Sequence, residues 1–480
     1  MNFRRVLHIL SLLLLVLAAA ELVPLVWCLE GGQSRAALGF LCASAVSAIL
    51  GLIFRLLGHR EGDLYRRDGV LIVVGAWILA SLTGAIPYWV GDVLPNPVDA
   101  LFESASGFTT TGATVLRDIE AAGHPILFWR SFTQWLGGIG IVVLFVALLS
   151  ELGPGARFLF KLEVPGPKAE VLHDRVQDTA LALGRVYLVL SLAEIGVLLA
   201  LGLNAFDALT HTFSTVSTGG FSPHPDSIGR FSPLIRLTIT FFMAAAGINF
   251  AHYYSLAHRR NMVIMRDSEF RTYLWIIFGT TLLVTLSLAG ASTGPTLHML
   301  GDALFQVVSI LTTTGFSTVD FNQWPDPART LLVSIMILGG CAGSTAGGFK
   351  ISRAIIAWRA AMREVRLTYG PNSVISVALG GISVPEDSVR SVVALFFLWI
   401  AAWGGGTLLL SVGDVDIVTA GTASIATLSN IGPGLGLVGP TGDFAFFSSW
   451  QKIVMVFLMW LGRLEFFAVL ALLHPRFWTR

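Results

Sequence analysis

The chain has 480 residues, 54% of them apolar and only 13% charged, with a formal net charge of +1. Soluble domains carry roughly 25% charged residues, so a large soluble domain is excluded and an all-α polytopic membrane protein is predicted. With no long basic run, nucleic-acid binding has no support; Cys28, Cys42 and Cys341 lack CxxC spacing and read as buried, inert thiols.

Arg4-Arg5, a leucine-rich run and Ala18-Ala19-Ala20 imitate a secretory signal with a small-residue cleavage site. The apolar stretch nevertheless continues through Val26-Trp27, so an uncleaved spanning helix is predicted near residues 7–28, and a second near 36–57. Four pairs follow: 69–91 and 128–151, 182–203 and 233–256, 272–291 and 329–358, 389–412 and 449–473, ten spans in all. The chain thus divides into two N-terminal helices (1–68) and four units, 69–165, 166–262, 263–370 and 371–480. The connection at 152–181, with Gly153-Pro154-Gly155 and Pro165-Gly166-Pro167, reads as an ordered, turn-rich loop with a short interfacial helix.

Arginines set the orientation. Arg55, Arg60, Arg66 and Arg67 share one connection, Arg259, Arg260, Arg266 and Arg271 another, and Arg353, Arg359, Arg363 and Arg366 a third. Ten crossings put all three on the side of Arg4-Arg5. Both termini are therefore predicted to be cytoplasmic.

Between the members of each pair lies one short pattern. The copies are Thr-Thr-Thr-Gly-Ala (Thr109 to Ala113), Ser-Thr-Gly-Gly-Phe (Ser217 to Phe221), Thr-Thr-Thr-Gly-Phe (Thr312 to Phe316) and Ser-Asn-Ile-Gly-Pro (Ser429 to Pro433). Thirteen residues before Gly112, Gly220 and Gly315 stands Asp-Ala, at Asp99, Asp207 and Asp302; before Gly432 it is Thr419-Ala420. Asp and Thr at these places read as N-caps of short helices running into glycine-bearing loops. Segments too short and too polar to span survive in lipid only if buried in protein or lining a water-filled path. A dehydrated cation needs replacement oxygens, which rings of carbonyls and Thr hydroxyls supply for K⁺. The expected filter residues are Thr110, Thr111, Gly112, Thr218, Gly219, Gly220, Thr313, Thr314, Gly315, Asn430, Ile431 and Gly432. Gly137, Gly138 and Gly140 read instead as helix-packing small residues.

These stretches, together with Ser106-Gly107-Phe108 before the first and His211-Thr212-Phe213-Ser214-Thr215-Val216 before the second, resemble the Trk/Ktr/HKT superfamily of potassium transporters. The two extra N-terminal helices favour its bacterial TrkH branch over the eight-helix KtrB type. The resemblance covers essentially the whole chain. It implies four helix–pore helix–helix repeats around one central pore, K⁺ as the transported ion with no covalent cofactor, a homodimer, and a cytoplasmic nucleotide-binding regulator of the TrkA type in a bacterial inner membrane. Sodium-conducting relatives carry serine at the first filter glycine, whereas this chain has glycine in all four copies. A Na⁺-conducting or non-selective relative is thus the alternative within the class, and a polytopic enzyme the alternative outside it.

Two more features gain meaning beside that family. Residues 339–348 hold five glycines in ten, Gly339, Gly340, Gly343, Gly347 and Gly348 with Ser344 and Thr345 among them, followed by Lys350. Each glycine costs a helix about 1 kcal/mol against alanine, so the span at 329–358 is expected to break there. The matching family segment is an intramembrane gating loop. Arg463, deep in the last span, costs roughly 2.5–3.5 kcal/mol to insert unless it faces a cavity or partner. The family places a matching arginine beside the loop; pairing with Glu465 is the structural alternative. Glu194 stands inside a span, as a functional carboxylate or as the partner of a neighbouring helix. His211 reads as a packing or hydrogen-bonding residue, and neither metal-ligand spacing nor a phosphate-binding glycine motif occurs.

Overall fold

The computed structural model describes residues 1–31, 33–61, 64–151, 176–259, 263–291, 296–464 and 466–478. Most of the expected loop at 152–181, the boundary placed at 165/166, and Glu465 lie outside them. The part of that loop that is described, from Val176 on, is already helical.

The long apolar runs form the long helices. Among the described residues, six helices are long and apolar enough to cross a membrane: Phe3–Leu29, Ser34–Leu57, Arg67–Val90, Leu181–Ala200, Ser268–Gly290 and Glu386–Leu410. Their outward faces leave Leu29, Leu56, Trp275, Phe397 and Leu408 exposed, a surface suited to lipid rather than water. The protein is a multi-pass membrane protein.

The first helix, α1 (Phe3–Ala20), packs along α3 (Ser34–Leu57) and α4 (Arg66–Val90), with the short α2 (Leu25–Gly31) between α1 and α3. The Asn2 amide donates to Asp68, the His59 amide to the Arg4 carbonyl, and Arg67 to the Phe477 carbonyl. Both ends of the chain and the first arginine-rich connection therefore share one face.

Four short helices each precede one of the glycine-bearing loops: α5 (Pro97–Phe108), α8 (Ala205–Val216), α12 (Thr296–Leu311) and α16 (Ile417–Leu428). The spans before α8 and α12 are α7 (Val176–Ala200) and α11 (Ser268–Ala291); α15 (Glu386–Leu410) precedes α16. The caps differ from the sequence reading. Asn96, Asn204 and Asp416 are the N-caps of α5, α8 and α16, accepting from Val98, Asp207, and Val418 and Thr419. Asp99, Asp207 and Thr419 lie three residues further in, where a carboxylate suits the positive end of the helix. Asp302 lies deeper still, because α12 starts at Thr296. The repeated dipeptide marks a register within the first turn or two, not the cap.

The return helices depart from the expected single spans. The first, α6 (Gly123–Glu151), is continuous. The second is α9 (Pro233–Ala246) and α10 (Phe250–Arg259), meeting at 93° across Gly247-Ile248-Asn249. Here the sequence reading expected one unbroken span over 233–256. Asn249 starts α10 by accepting from the Ala251 amide, a turn-forming signal hidden in an apolar run. The third is α13 (Asp326–Met336), the glycine-rich loop, and α14 (Ile351–Tyr369). The fourth ends as a regular helix at Arg463 (α17, Ser449–Arg463), and α18 (Phe466–Leu473) and α19 (Pro475–Trp478) follow. A two-stranded hairpin, β1 (Ala378–Leu379) with β2 (Ile382–Ser383), departs from a purely helical chain; Leu379 packs with Ile356, Ala360, Val377, Val384 and Val389.

Candidate ion pathway

Each pore helix stops one residue before its loop, so its negative C-terminal end faces the loop. There the four loops adopt one backbone. Thr110, Thr218, Thr313 and Asn430 have φ of 54°, 56°, 58° and 56°, and Gly112, Gly220, Gly315 and Gly432, two residues on, have 82°, 79°, 83° and 99°. Such angles are uncommon for any residue but glycine. The residue between them donates its amide into the pore helix each time: Thr111 to Ser106, Gly219 to Ser214, Thr314 to Ser309 and Ile431 to Ala426, at 2.7–2.8 Å.

The loops also close on one another in order. A Cβ on Gly112 would lie 2.2 Å from the Gly219 carbonyl oxygen, on Gly220 1.9 Å from that of Thr314, on Gly315 1.9 Å from that of Ile431, and on Gly432 2.8 Å from that of Thr111. First meets second, second third, third fourth, and fourth first. At this ring the neighbouring carbonyl occupies the place of a side chain, so any residue but glycine would have to displace it. The four glycines line one open cavity of about 130 Å³, with Arg117, His224 and Asp443 further out.

The ring is braced from behind by residues that sequence reasoning missed. Gln134 donates to the Gly219 carbonyl at 2.7 Å and accepts from the Phe221 amide at 3.1 Å. Arg130 and Glu103 form a buried ion pair at 2.8 Å. Glu103 also accepts from the Val115 amide and Thr114 hydroxyl, and Arg130 donates to the Ser222 carbonyl and lies 4.1 Å from the Phe221 ring centre. The pair thus holds the strands leaving loops one and two. Asn430 ties loop four to loop one, donating to the Thr111 hydroxyl at 2.9 Å and to the Met459 carbonyl at 3.1 Å. A charged pair split between a pore helix and the following span was the available signal.

The glycine-rich loop lies against the inner ends of these loops. The Gly347 amide donates to the Thr313 hydroxyl at 2.6 Å, and a Cβ on Gly347 would lie 2.4 Å from the Ser429 carbonyl. Thr345 donates to the Val216 carbonyl at the end of α8. The Cys341 amide donates to Gly247, and the Phe250 amide to Gly343, so the bend in the second return helix seats the loop. Gly339 packs on Gly347 and Gly348, Gly340 on Ala346, Ser344 turns back onto the Cys341 carbonyl, and Lys350 donates to Ala346.

Arg463 meets this loop. Its guanidinium donates to the Thr345 carbonyl at 2.8 Å and to the Gly137 carbonyl at 3.5 Å, and lies 6.0 Å from the Trp77 ring centre. Gly137 and Gly138 pack as expected, against Phe108 and against Tyr187 and Ser217; among the described residues nothing lies within 4 Å of a Cβ at Gly140. Glu194 is fully buried in α7, beside Thr215 in the last turn of α8. His211 bonds the Asp207 carbonyl and the Ser222 hydroxyl, a hydrogen-bonding role as expected.

Known proteins share this plan. The family model described as "TrkH: Cation transport protein" matches residues 35–478. The chain is 39% identical to the Trk system potassium uptake protein TrkH of Halomonas elongata and 37% identical to that of Escherichia coli K12, with all of both chains covered in each case. It superposes on the crystal structure of the potassium transporter TrkH from Vibrio parahaemolyticus with a TM-score of 0.88 and 35% identity, over the full length of both. A family match of this extent, with full-length relatives at this identity, makes the chain a member of the TrkH family of cation transport proteins.

Proposed function

We propose that the chain is the pore-forming subunit of a Trk-type system that takes up K⁺ across a bacterial inner membrane. In this reading ten helices span the bilayer, both termini are cytoplasmic, and residues 69–165, 166–262, 263–370 and 371–480 form four repeats around one pore, behind the helices of 1–68. The carbonyls and hydroxyls of Thr110–Gly112, Thr218–Gly220, Thr313–Gly315 and Asn430–Gly432 replace the ion's water. The observation that carries the reading is the cyclic contact of the four loops, glycine against carbonyl, from Gly112 round to Gly432.

The names of the relatives, potassium uptake proteins, support K⁺ as the ion, and glycine at all four filter positions argues against a Na⁺-conducting pore. The Gly339–Gly348 loop with Lys350 is the gate, and Arg463 both anchors it and repels cations beneath the filter. Resemblance to the family supports a homodimer and a cytoplasmic nucleotide-binding regulator of the TrkA type.

Purified protein in liposomes tests the function. Reversal potentials in opposed K⁺ and Na⁺ gradients should follow K⁺, and Gly112→Ser should move them toward Na⁺. A wild-type potential that follows Na⁺, or no flux at all, would overturn the assignment. Reporter fusions test the orientation: those after Arg67, Arg271 and Arg366 should read cytoplasmic, and one near Asp326 external.

A further inference from the structure

We infer that Glu269 is the latch that holds the Gly339–Gly348 loop closed, a role that rests on the reading of this loop as the gate. Glu269 stands in the first turn of α11, outside the return segment that carries the loop. One carboxylate oxygen accepts from the Ala342 amide at 2.7 Å and from the Ser352 amide at 3.0 Å. Ala342 is the fourth residue of the loop, and Ser352 lies in the first turn of the helix leaving it. A single atom therefore clips together the two ends of a segment that has no helical ladder of its own.

The clip has the chemistry of a reversible catch. Hydrogen bonds to a charged acceptor are about twice as strong as neutral ones, and a buried carboxylate needs its donors. Glu269 is only 8% exposed, so closing the loop supplies the two N–H groups, and opening it must admit water to replace them. The latch also has a mechanical link to the inner surface of the protein. The Glu269 amide donates to Asp267 at 2.8 Å, and Asp267 pairs with His252 of α10 at 3.3 Å. A displacement of the segment joining α10 to α11 would draw Glu269 away from Ala342 and Ser352. Among the described residues, the Glu269 carboxylate bonds Ala342 and Ser352 and no filter residue. It is a positioning residue for the gate and leaves the filter ring untouched.

The test uses full-length protein in liposomes without any partner. Three variants are compared with wild type: Glu269→Ala, Glu269→Gln, and a chain whose loop is shortened between Gly343 and Ala346. Glu269→Ala should raise basal K⁺ flux about tenfold or more, since losing even one bond to a charged group shifts an equilibrium by about that factor. The K⁺-over-Na⁺ reversal potential should stay at the wild-type value, and hydrogen exchange should quicken in the peptides holding Ala342 and Ser352. Glu269→Gln keeps an acceptor oxygen at the same reach and should leak less. If the shortened loop leaks but Glu269→Ala matches wild type in flux and exchange, the latch is wrong and the gate stands. If the shortened loop does not leak, the gate reading falls and the latch with it. Should Glu269→Ala fail to fold, Ser352→Pro removes one donor from the other side, in a first helical turn that tolerates proline; wild-type flux there would equally overturn the latch.

Discussion

The four glycine-bearing loops and the return segments that follow them behave in opposite ways. At the filter, the first left-handed residue varies by only 4° in φ across the repeats, from 54° to 58°. One turn below, no two repeats agree: the first return helix runs on unbroken, the second bends by 93°, the third opens into the glycine-rich loop, and the fourth ends its regular helix at Arg463. Under the proposed function the contrast follows from two tasks. Surrounding an ion requires like groups on every side, so drift in one repeat is felt by all. Blocking a path requires one intruder, and the other repeats need only make room for it. The second does so by bending at Gly247, and the fourth by presenting Arg463 to Thr345.

The sharpest way to break the symmetry is to add one methyl group to the ring. Gly315→Ala would place a Cβ 1.9 Å from the Ile431 carbonyl, whereas Gly432→Ala would place it 2.8 Å from that of Thr111. Conduction in liposomes should vanish in the first and survive in part in the second. Equal losses would mean that left-handed strain, about 1–3 kcal/mol at either site, outweighs the contact.

Next in size is the brace between repeats one and two. Arg130→Met leaves Glu103 buried without its partner, which costs roughly 3–5 kcal/mol. Thermal unfolding in detergent should register this, and adding Glu103→Gln should recover much of it. A single mutant as stable as wild type would remove the pair from the account of what holds the ring.

The third prediction concerns the asymmetric side. Arg463 reaches Thr345 and Gly137 with separate guanidinium nitrogens, which a lysine cannot do. Arg463→Lys should therefore leak K⁺ nearly as much as Arg463→Ala, on the order of tenfold above wild type. Wild-type flux in the lysine variant would show that charge repulsion, not anchoring, closes the path. The smallest effect belongs to the caps: Asn96→Ala should cost about 1 kcal/mol of stability and leave the reversal potential unchanged.

Much of this was legible in the sequence, because membrane helices and filter loops are written in local signals. Apolar runs of span length located the long helices. The recurring distance to glycine located the four loops, and the glycine cluster located the break in the third return helix. What escaped has a common cause. Arg130 and Gln134 act on the second loop, 92 and 85 residues away, and Glu103 joins them through Arg130; neither spacing nor propensity registers such partners. Glu269 escaped for the same reason, lying 73 and 83 residues before the amides it accepts. The bend at Gly247 was hidden because apolar residues flank it on both sides. In α5, α8 and α16 the cap lies three residues before the expected one, because a second capping residue, Asn96, Asn204 or Asp416, stands ahead of the repeating dipeptide.

The central claim is that the four loops make one ion-binding ring, and anomalous diffraction from crystals grown in Rb⁺ or Tl⁺ tests it most directly. The account predicts peaks on the axis enclosed by the four loops, absent from crystals grown in Na⁺ alone. Peaks confined to other parts of the molecule, with none inside the ring, would contradict it.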